Sequence, residues 1–166
     1  MKKPKVFIAF FVVVLLLSVS IIFTITNAIP MFLNPIEKKC FSAIEDLKFL
    51  DEYVTDEIPL SKDKNLTSEP CEYWCKEIKY NGRKYKIRAY VFSNSEEAEE
   101  YVKKETGKIG SNNSGSLVKT KILPLSTRYI VYNENFVFYI KGGFAYNTFS
   151  KDLSEITKNF QEIPAK

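Results

Sequence analysis

The 166-residue chain carries 24 basic and 20 acidic side chains, three cysteines and no histidine. Without histidine the commonest general base, the Ser-His and Cys-His nucleophile pairs and most zinc sites are excluded. Lys2, Lys3 and Lys5 supply three of the 24 basic residues, leaving 21 against 20 acids in the remainder, so no strong positive field marks a nucleic-acid binder.

The run that begins at Val6 and ends at Ile25 is apolar except for Ser18, Ser20 and Thr24. As a helix it rises about 30 Å, the thickness of the hydrocarbon core of a bilayer. Lysines concentrate on its N-terminal flank, which places that flank in the cytoplasm. Residues 1–34 are therefore read as a cytoplasmic tail, a single-pass signal anchor and an exit segment, with the lipid bilayer as partner. Residues 35–166 are read as one extracytoplasmic domain at the cell membrane. A signal peptide cut after Ala28, with Thr26 at minus three, is the competing reading. The apolar run exceeds the roughly 7 to 15 residues usual for such a segment. Ser18 and Ser20 are small enough to pack against a neighbouring span.

Beyond Asn34 and Pro35, apolar residues from Ile36 to Ile58 recur at three and four residue spacing. This predicts one amphipathic helix, with Cys40 as a small core residue and Pro59 as the stop. The segment is acidic, with seven acids and three bases over 36–57, whereas 76–92 holds six bases and one acid. The polar stretch 61–69 reads as a loop.

Asn81-Gly82 is the preferred two-residue type I′ turn and fixes a hairpin register in which Tyr80 faces Arg83, Ile78 faces Tyr85 and Glu77 faces Lys86. One face then carries Ile78, Tyr80, Tyr85, Ile87, Ala89 and Val91, and the other Lys79, Lys84, Lys86, Arg88, Tyr90 and Phe92. Ser93 with Glu96 predicts a capping box opening a helix that buries Ala98, Tyr101 and Val102 and stops at Gly107. Residues 107–116 read as a loop and 117–123 as a strand ended near Pro124. A second hairpin turns at Glu134-Asn135 and is apolar on both faces, which suits the sheet centre. A last helix is expected from about Ser150, burying Leu153, Ile156 and Phe160. The fold class is α+β: a transmembrane helix, then one antiparallel sheet of about five strands with about three helices, in the order α-ββ-α-βββ-α. Tyr85, Ile87, Val91, Tyr101 and Phe160 are expected in a shared core.

Cys71 and Cys75 bracket Trp74. On one helical turn their Cα atoms would lie about 6 Å apart, within bridging range, so a structural disulfide is the leading reading. Unpaired buried thiols and a redox pair are the alternatives. No metal set and no cofactor motif is present. Asn65-Leu66-Thr67 and Asn112-Asn113-Ser114 match glycosylation sequons.

The surface marked for a ligand or partner is the cationic and aromatic strand face: Lys84, Lys86, Arg88 and Tyr90, joined by Tyr132 and Tyr139 of the second hairpin. Such a face holds anionic or glycan ligands by charge and stacking. The bland alternative lays the acidic 36–58 segment over the cations and packs the tyrosines beneath it. The function this supports is a noncatalytic, membrane-anchored domain that binds a protein partner or an anionic envelope component, including as an accessory subunit of a membrane assembly. Its alternatives are a thiol-dependent redox or sensor protein using Cys71 and Cys75, and an envelope enzyme working through paired carboxylates.

Overall fold

The computed structural model describes residues 3–33, 35–107, 114–121 and 125–163. Lys2, Asn34, residues 108–113 of the loop expected over 107–116 with Asn112 and Asn113 of the second sequon, and the strand end expected at 122–124 lie outside the described residues, while residues 114–116 of that expected loop already belong to a strand.

The chain opens on helix α1 (Lys3–Phe23), continues through a π-helical turn at Thr24–Ala28, and ends in α2 (Ile29–Leu33). Its stretch Ile8–Leu33 spans 26 residues and contains an 18-residue window with a mean hydropathy of 3.0, long and apolar enough to cross a membrane. The widened turn sits immediately before Pro30, which has no N–H to donate and would crowd the carbonyl four residues back in a regular helix. Ser18, Ser20, Thr24 and Thr26 each donate their hydroxyl to the carbonyl four residues earlier at 2.8 to 2.9 Å. These few polar groups are thereby satisfied within the helix itself.

The amphipathic helix expected over 36–58 is replaced by three short elements: β1 (Lys39–Cys40), a 3-10 helix at Ile44–Tyr53 and strand β2 (Val54–Glu57). Asp46 explains the break, because its Oδ2 accepts from Ser42 N at 2.8 Å, Ala43 N at 3.2 Å and Ser42 Oγ at 3.0 Å. That clamp starts a new helix instead of continuing one. The buried Leu47 and Leu50 are three residues apart, a spacing that suits a 3-10 turn as well as an α-helix. β-branched Val54 and Thr55 then join the sheet edge. Cys40 is buried as expected, on a strand rather than a helix.

β3 (Glu72–Tyr80) and β4 (Arg83–Val91) form the first hairpin, with Tyr80 opposite Arg83, Ile78 opposite Tyr85 and Glu77 opposite Lys86. Asn81 and Gly82 both adopt positive φ, as the type I′ turn requires. Helix α3 (Ser95–Thr106) is capped by Asn94, one residue beyond the expected Ser93, and Gly107 ends it at φ 74°. β5 (Ser114–Lys121), β6 (Ser126–Asn133) and β7 (Phe136–Gly142) follow. Helix α4 (Tyr146–Ile156) starts four residues before the expected Ser150, and β8 (Gln161–Glu162) pairs with β1. The main sheet has the order β2-β3-β4-β7-β6-β5, antiparallel throughout. The apolar second hairpin contributes the central β7 and its neighbour β6. The class is the α+β fold expected, with six strands in the main sheet among the described residues.

Both faces of that sheet are covered. On one, Trp74, Ile78, Tyr85, Ile87, Phe138 and Ile140 pack against Leu47 and Leu50 of the 3-10 helix and Phe149, Leu153 and Ile156 of α4. On the other, Tyr90, Phe92, Ile130, Tyr132, Val137 and Tyr139 pack against Ala98, Tyr101 and Val102 of α3. Tyr101 therefore belongs to the opposite core from Tyr85, Ile87 and Phe160, because its helix covers the other side. The acidic segment lies on the first face, where Asp51 accepts from Trp74 Nε1 and Lys76 Nζ, each at 3.0 Å.

A polar contact ties the N-terminal helix to the domain. Asn27 is 2% exposed, and its Oδ1 accepts the backbone N–H of Tyr146 at 2.9 Å. Ala145 offers α4 no side-chain cap, so Asn27 satisfies a first-turn donor from a distant element.

Candidate functional site

Cys71 and Cys75 are both free thiols. They lie on extended chain at and inside β3, where four residue steps separate Cα atoms by about 13 Å, beyond the roughly 7 Å limit for a bridge. The expected disulfide is therefore not formed: Trp74, Ile78 and Tyr80, separated by even steps, favour a strand over the assumed helical turn. Cys71 is exposed with Sγ 3.4 Å from Ser93 Oγ, while burial raises the Cys75 thiol to about 11. Burial likewise pushes the Cys40 thiol to about 12. Neither buried thiol is an available nucleophile at neutral pH.

The cationic strand face separates into three parts. Tyr90 and Tyr132 are sealed under α3, with Tyr90 donating to Asp63 Oδ2 at 2.7 Å and Tyr132 Oη without a hydrogen-bond partner among the described residues. Lys84 is exposed beside the hairpin turn. Lys86, Arg88 and Tyr139 come together, and with Lys62, Asp63, Lys64, Asn65, Glu105 and Lys141 they line a recess of about 390 Å³. The Arg88 guanidinium lies 5.6 Å from the Tyr139 ring centroid, in cation–π range.

The recess is built in layers. Asp63 lies at its base, 6% exposed, accepting from Tyr90, from Tyr101 at 2.8 Å and from Arg88 Nη1 at 3.1 Å. Burial beside the Asp63 charge holds the Tyr90 and Tyr101 phenols well above their ordinary range, so both stay neutral donors. Glu105 is equally committed: Arg128 Nη1 reaches it at 3.0 Å and Asn65 Nδ2 donates to its other oxygen. The first sequon thus has its amide engaged inside the fold. Asp63 and Glu105 are thus each answered by an arginine.

Above this base the sheet register sets Lys86 on β4 opposite Lys141 on β7, and Lys141 opposite Arg128 on β6. Like charges directly opposite on adjacent strands are destabilising. Lys86 has one counterion, Glu77 at 2.7 Å, whereas no described carboxylate lies within ion-pair distance of Lys62, Lys64 or Lys141. Six cations thus surround three acids, all three of them already paired. The arrangement can hold an anion by charge and by lysine N–H donors, over an aromatic wall.

Sequence reasoning singled out Lys86, Arg88 and Tyr139 but missed Lys62, Asp63, Lys64, Glu105, Arg128 and Lys141. Lys62 and Lys64 stand in a polar loop whose return over the sheet has no local signal. Lys141 becomes informative only when β4 is known to pair with β7.

No family model matches the chain, and neither a curated protein nor a solved structure matches it.

Proposed function

We propose that this protein is a noncatalytic domain anchored in the cell membrane by its N-terminal helix and displayed outside the cytoplasm, where its recess binds an anionic envelope component. The observation that carries the reading is the row of Lys86, Lys141 and Arg128 across three adjacent strands, in which Glu77 answers Lys86 and Glu105 answers Arg128 but no described carboxylate answers Lys141, nor Lys62 and Lys64 that overhang it. A row of like charges costs stability unless something anionic answers it. Retention of the helix is supported by Asn27, because a cut after Ala28 would remove the residue that holds the first turn of α4.

Full-length protein in phosphatidylcholine nanodiscs, titrated with inorganic phosphate, tests the recess. Wild type should be stabilised in thermal unfolding, by about 2.7 kcal/mol once phosphate reaches a hundredfold excess over its Kd. Lys64→Gln combined with Lys141→Gln should lose most of that gain while slightly raising the ligand-free melting temperature, because the repulsion of Lys141 by Lys86 and Arg128 is relieved. An equal phosphate response in both proteins would overturn the reading.

Cys71 reports the orientation, being the exposed thiol among the described residues. A membrane-impermeant maleimide should label it in intact cells, whereas Cys40 and Cys75 should react only after unfolding. Labelling of Cys71 that requires cell lysis would reverse the topology, and a mature protein starting at Ile29 would remove the anchor.

A further inference from the structure

The contact between Asn27 and α4 fixes the height of the domain above the bilayer. If the hydrocarbon core starts at Val6, a helix rise of 1.5 Å per residue brings its outer edge to about Ile25, and Asn27 falls about 3 Å beyond it, at headgroup level. Tyr146 N, 2.9 Å from Asn27 Oδ1, shares that level.

Lys141 precedes Tyr146 by five residues, so its Cα lies within about 18 Å of it even at full extension. The connection is shorter than that. The chain folds so tightly at Gly142 that an added Cβ would stand 2.7 Å from the Phe144 ring and 2.9 Å from the Tyr85 ring. At the same end of the sheet Gly143 packs near the Leu125 carbonyl, and Leu125 is 42% exposed. Phe32 and Leu33 at the helix end are also exposed. The sheet end that carries the recess lysines is therefore tethered within reach of the headgroup layer and presents the exposed Leu125 there.

We infer that the recess takes the phosphodiester headgroup of an anionic glycerophospholipid drawn from the bilayer in which the protein's own helix is inserted, an assignment that rests on reading the recess as an anion site. Lys62, Lys64, Lys86 and Lys141 bind the phosphate, and Arg88 stays fixed by Asp63.

Native mass spectrometry of the full-length chain released from mixed phosphatidylglycerol and phosphatidylcholine nanodiscs reads the retained lipid. Wild type should retain phosphatidylglycerol preferentially, and Lys64→Gln with Lys141→Gln should lower that preference about 25-fold, at about fivefold per cation removed near an anionic surface. Lys151→Gln serves as the control, since Lys151 lines a different groove, between α4 and the segment that follows the N-terminal helix. It should leave the preference unchanged. A drop of about fivefold in the single Lys151 variant, the same fall per cation removed, would show general attraction of basic residues to anionic lipid and overturn the recess assignment. If inorganic phosphate stabilises the protein through Lys64 and Lys141 while phosphatidylglycerol is not preferred, the headgroup assignment falls and the anion recess stands. If neither probe responds, both fall.

Discussion

Replacing Asp152 with Ala should cost about 3 to 5 kcal/mol, the range for removing one partner of a buried, hydrogen-bonded ion pair. Its carboxylate, on the inner side of α4, is fully buried and receives Arg83 Nε at 2.7 Å, Arg83 Nη2 at 2.8 Å, Asn81 Nδ2 at 3.1 Å and the Tyr85 hydroxyl. All three donors belong to the first hairpin, so this one side chain fixes α4 over the Asn81-Gly82 turn. Without it, the Tyr85 hydroxyl stays buried with no acceptor and the Arg83 charge loses its counterion. Urea unfolding of the full-length protein in detergent measures the loss. A cost below about 1 kcal/mol would mean that α4 is held by its apolar face alone.

The same carboxylate sets an acid limb. Burial alone would raise the Asp152 pKa, but the bonds from Arg83, Tyr85 and Asn81 outweigh it and hold the group below the usual aspartate range. A pKa depressed in the folded state gives stability that is complete above the unfolded value of about 3.9 and is lost as pH falls through the folded one. Asp51 acts in the same direction, with burial again opposed and outweighed by Lys76 and Trp74. In Asp152→Asn, stability should therefore fall less steeply below about pH 4 than in wild type. An unchanged acid limb would assign it to other carboxylates.

Both hairpins were legible because their information is local. Asn81-Gly82 dictates the first turn, and side-chain alternation then assigns Tyr85 and Ile87 to one face and Arg88 and Tyr90 to the other. Two apolar faces on 129–132 and 137–140 placed that hairpin in the sheet interior, where β7 does lie at the centre. The 36–58 segment was misread because its apolar spacing fits several backbones. The choice was made by Asp46 turning back on Ser42 and Ala43, and by Asp51 finding Trp74 and Lys76 more than twenty residues away. The two cysteines failed for a related reason: four residues apart means about 6 Å on a helix and about 13 Å on a strand. The recess was half visible, since Lys86, Arg88 and Tyr139 follow from strand alternation. Lys62, Lys64 and Lys141 join them only through loop return and the β4–β7 pairing, which no local pattern encodes.

The adjacent residues Ile87 and Lys86 should separate stability from binding. Ile87 is fully buried in the core under α4 and the 3-10 helix, opposite Lys76 on one neighbouring strand and Ile140 on the other. Ile87→Ala removes three carbons that close packing does not refill, and should cost about 2 to 5 kcal/mol. Lys86 points to the opposite face, exposed, with only the half-buried Glu77 as partner. An ion pair of that kind contributes about 0 to 1 kcal/mol, so Lys86→Gln should leave the unfolding midpoint almost unchanged. The strand pleat makes the difference, because one step along β4 passes from core to recess. Phosphate stabilisation should show the reverse order, reduced in Lys86→Gln and retained in Ile87→Ala at temperatures where that variant is still folded. Comparable unfolding costs at the two positions would contradict the register of the β3–β4 hairpin. Equal phosphate stabilisation in both variants would remove Lys86 from the recess chemistry.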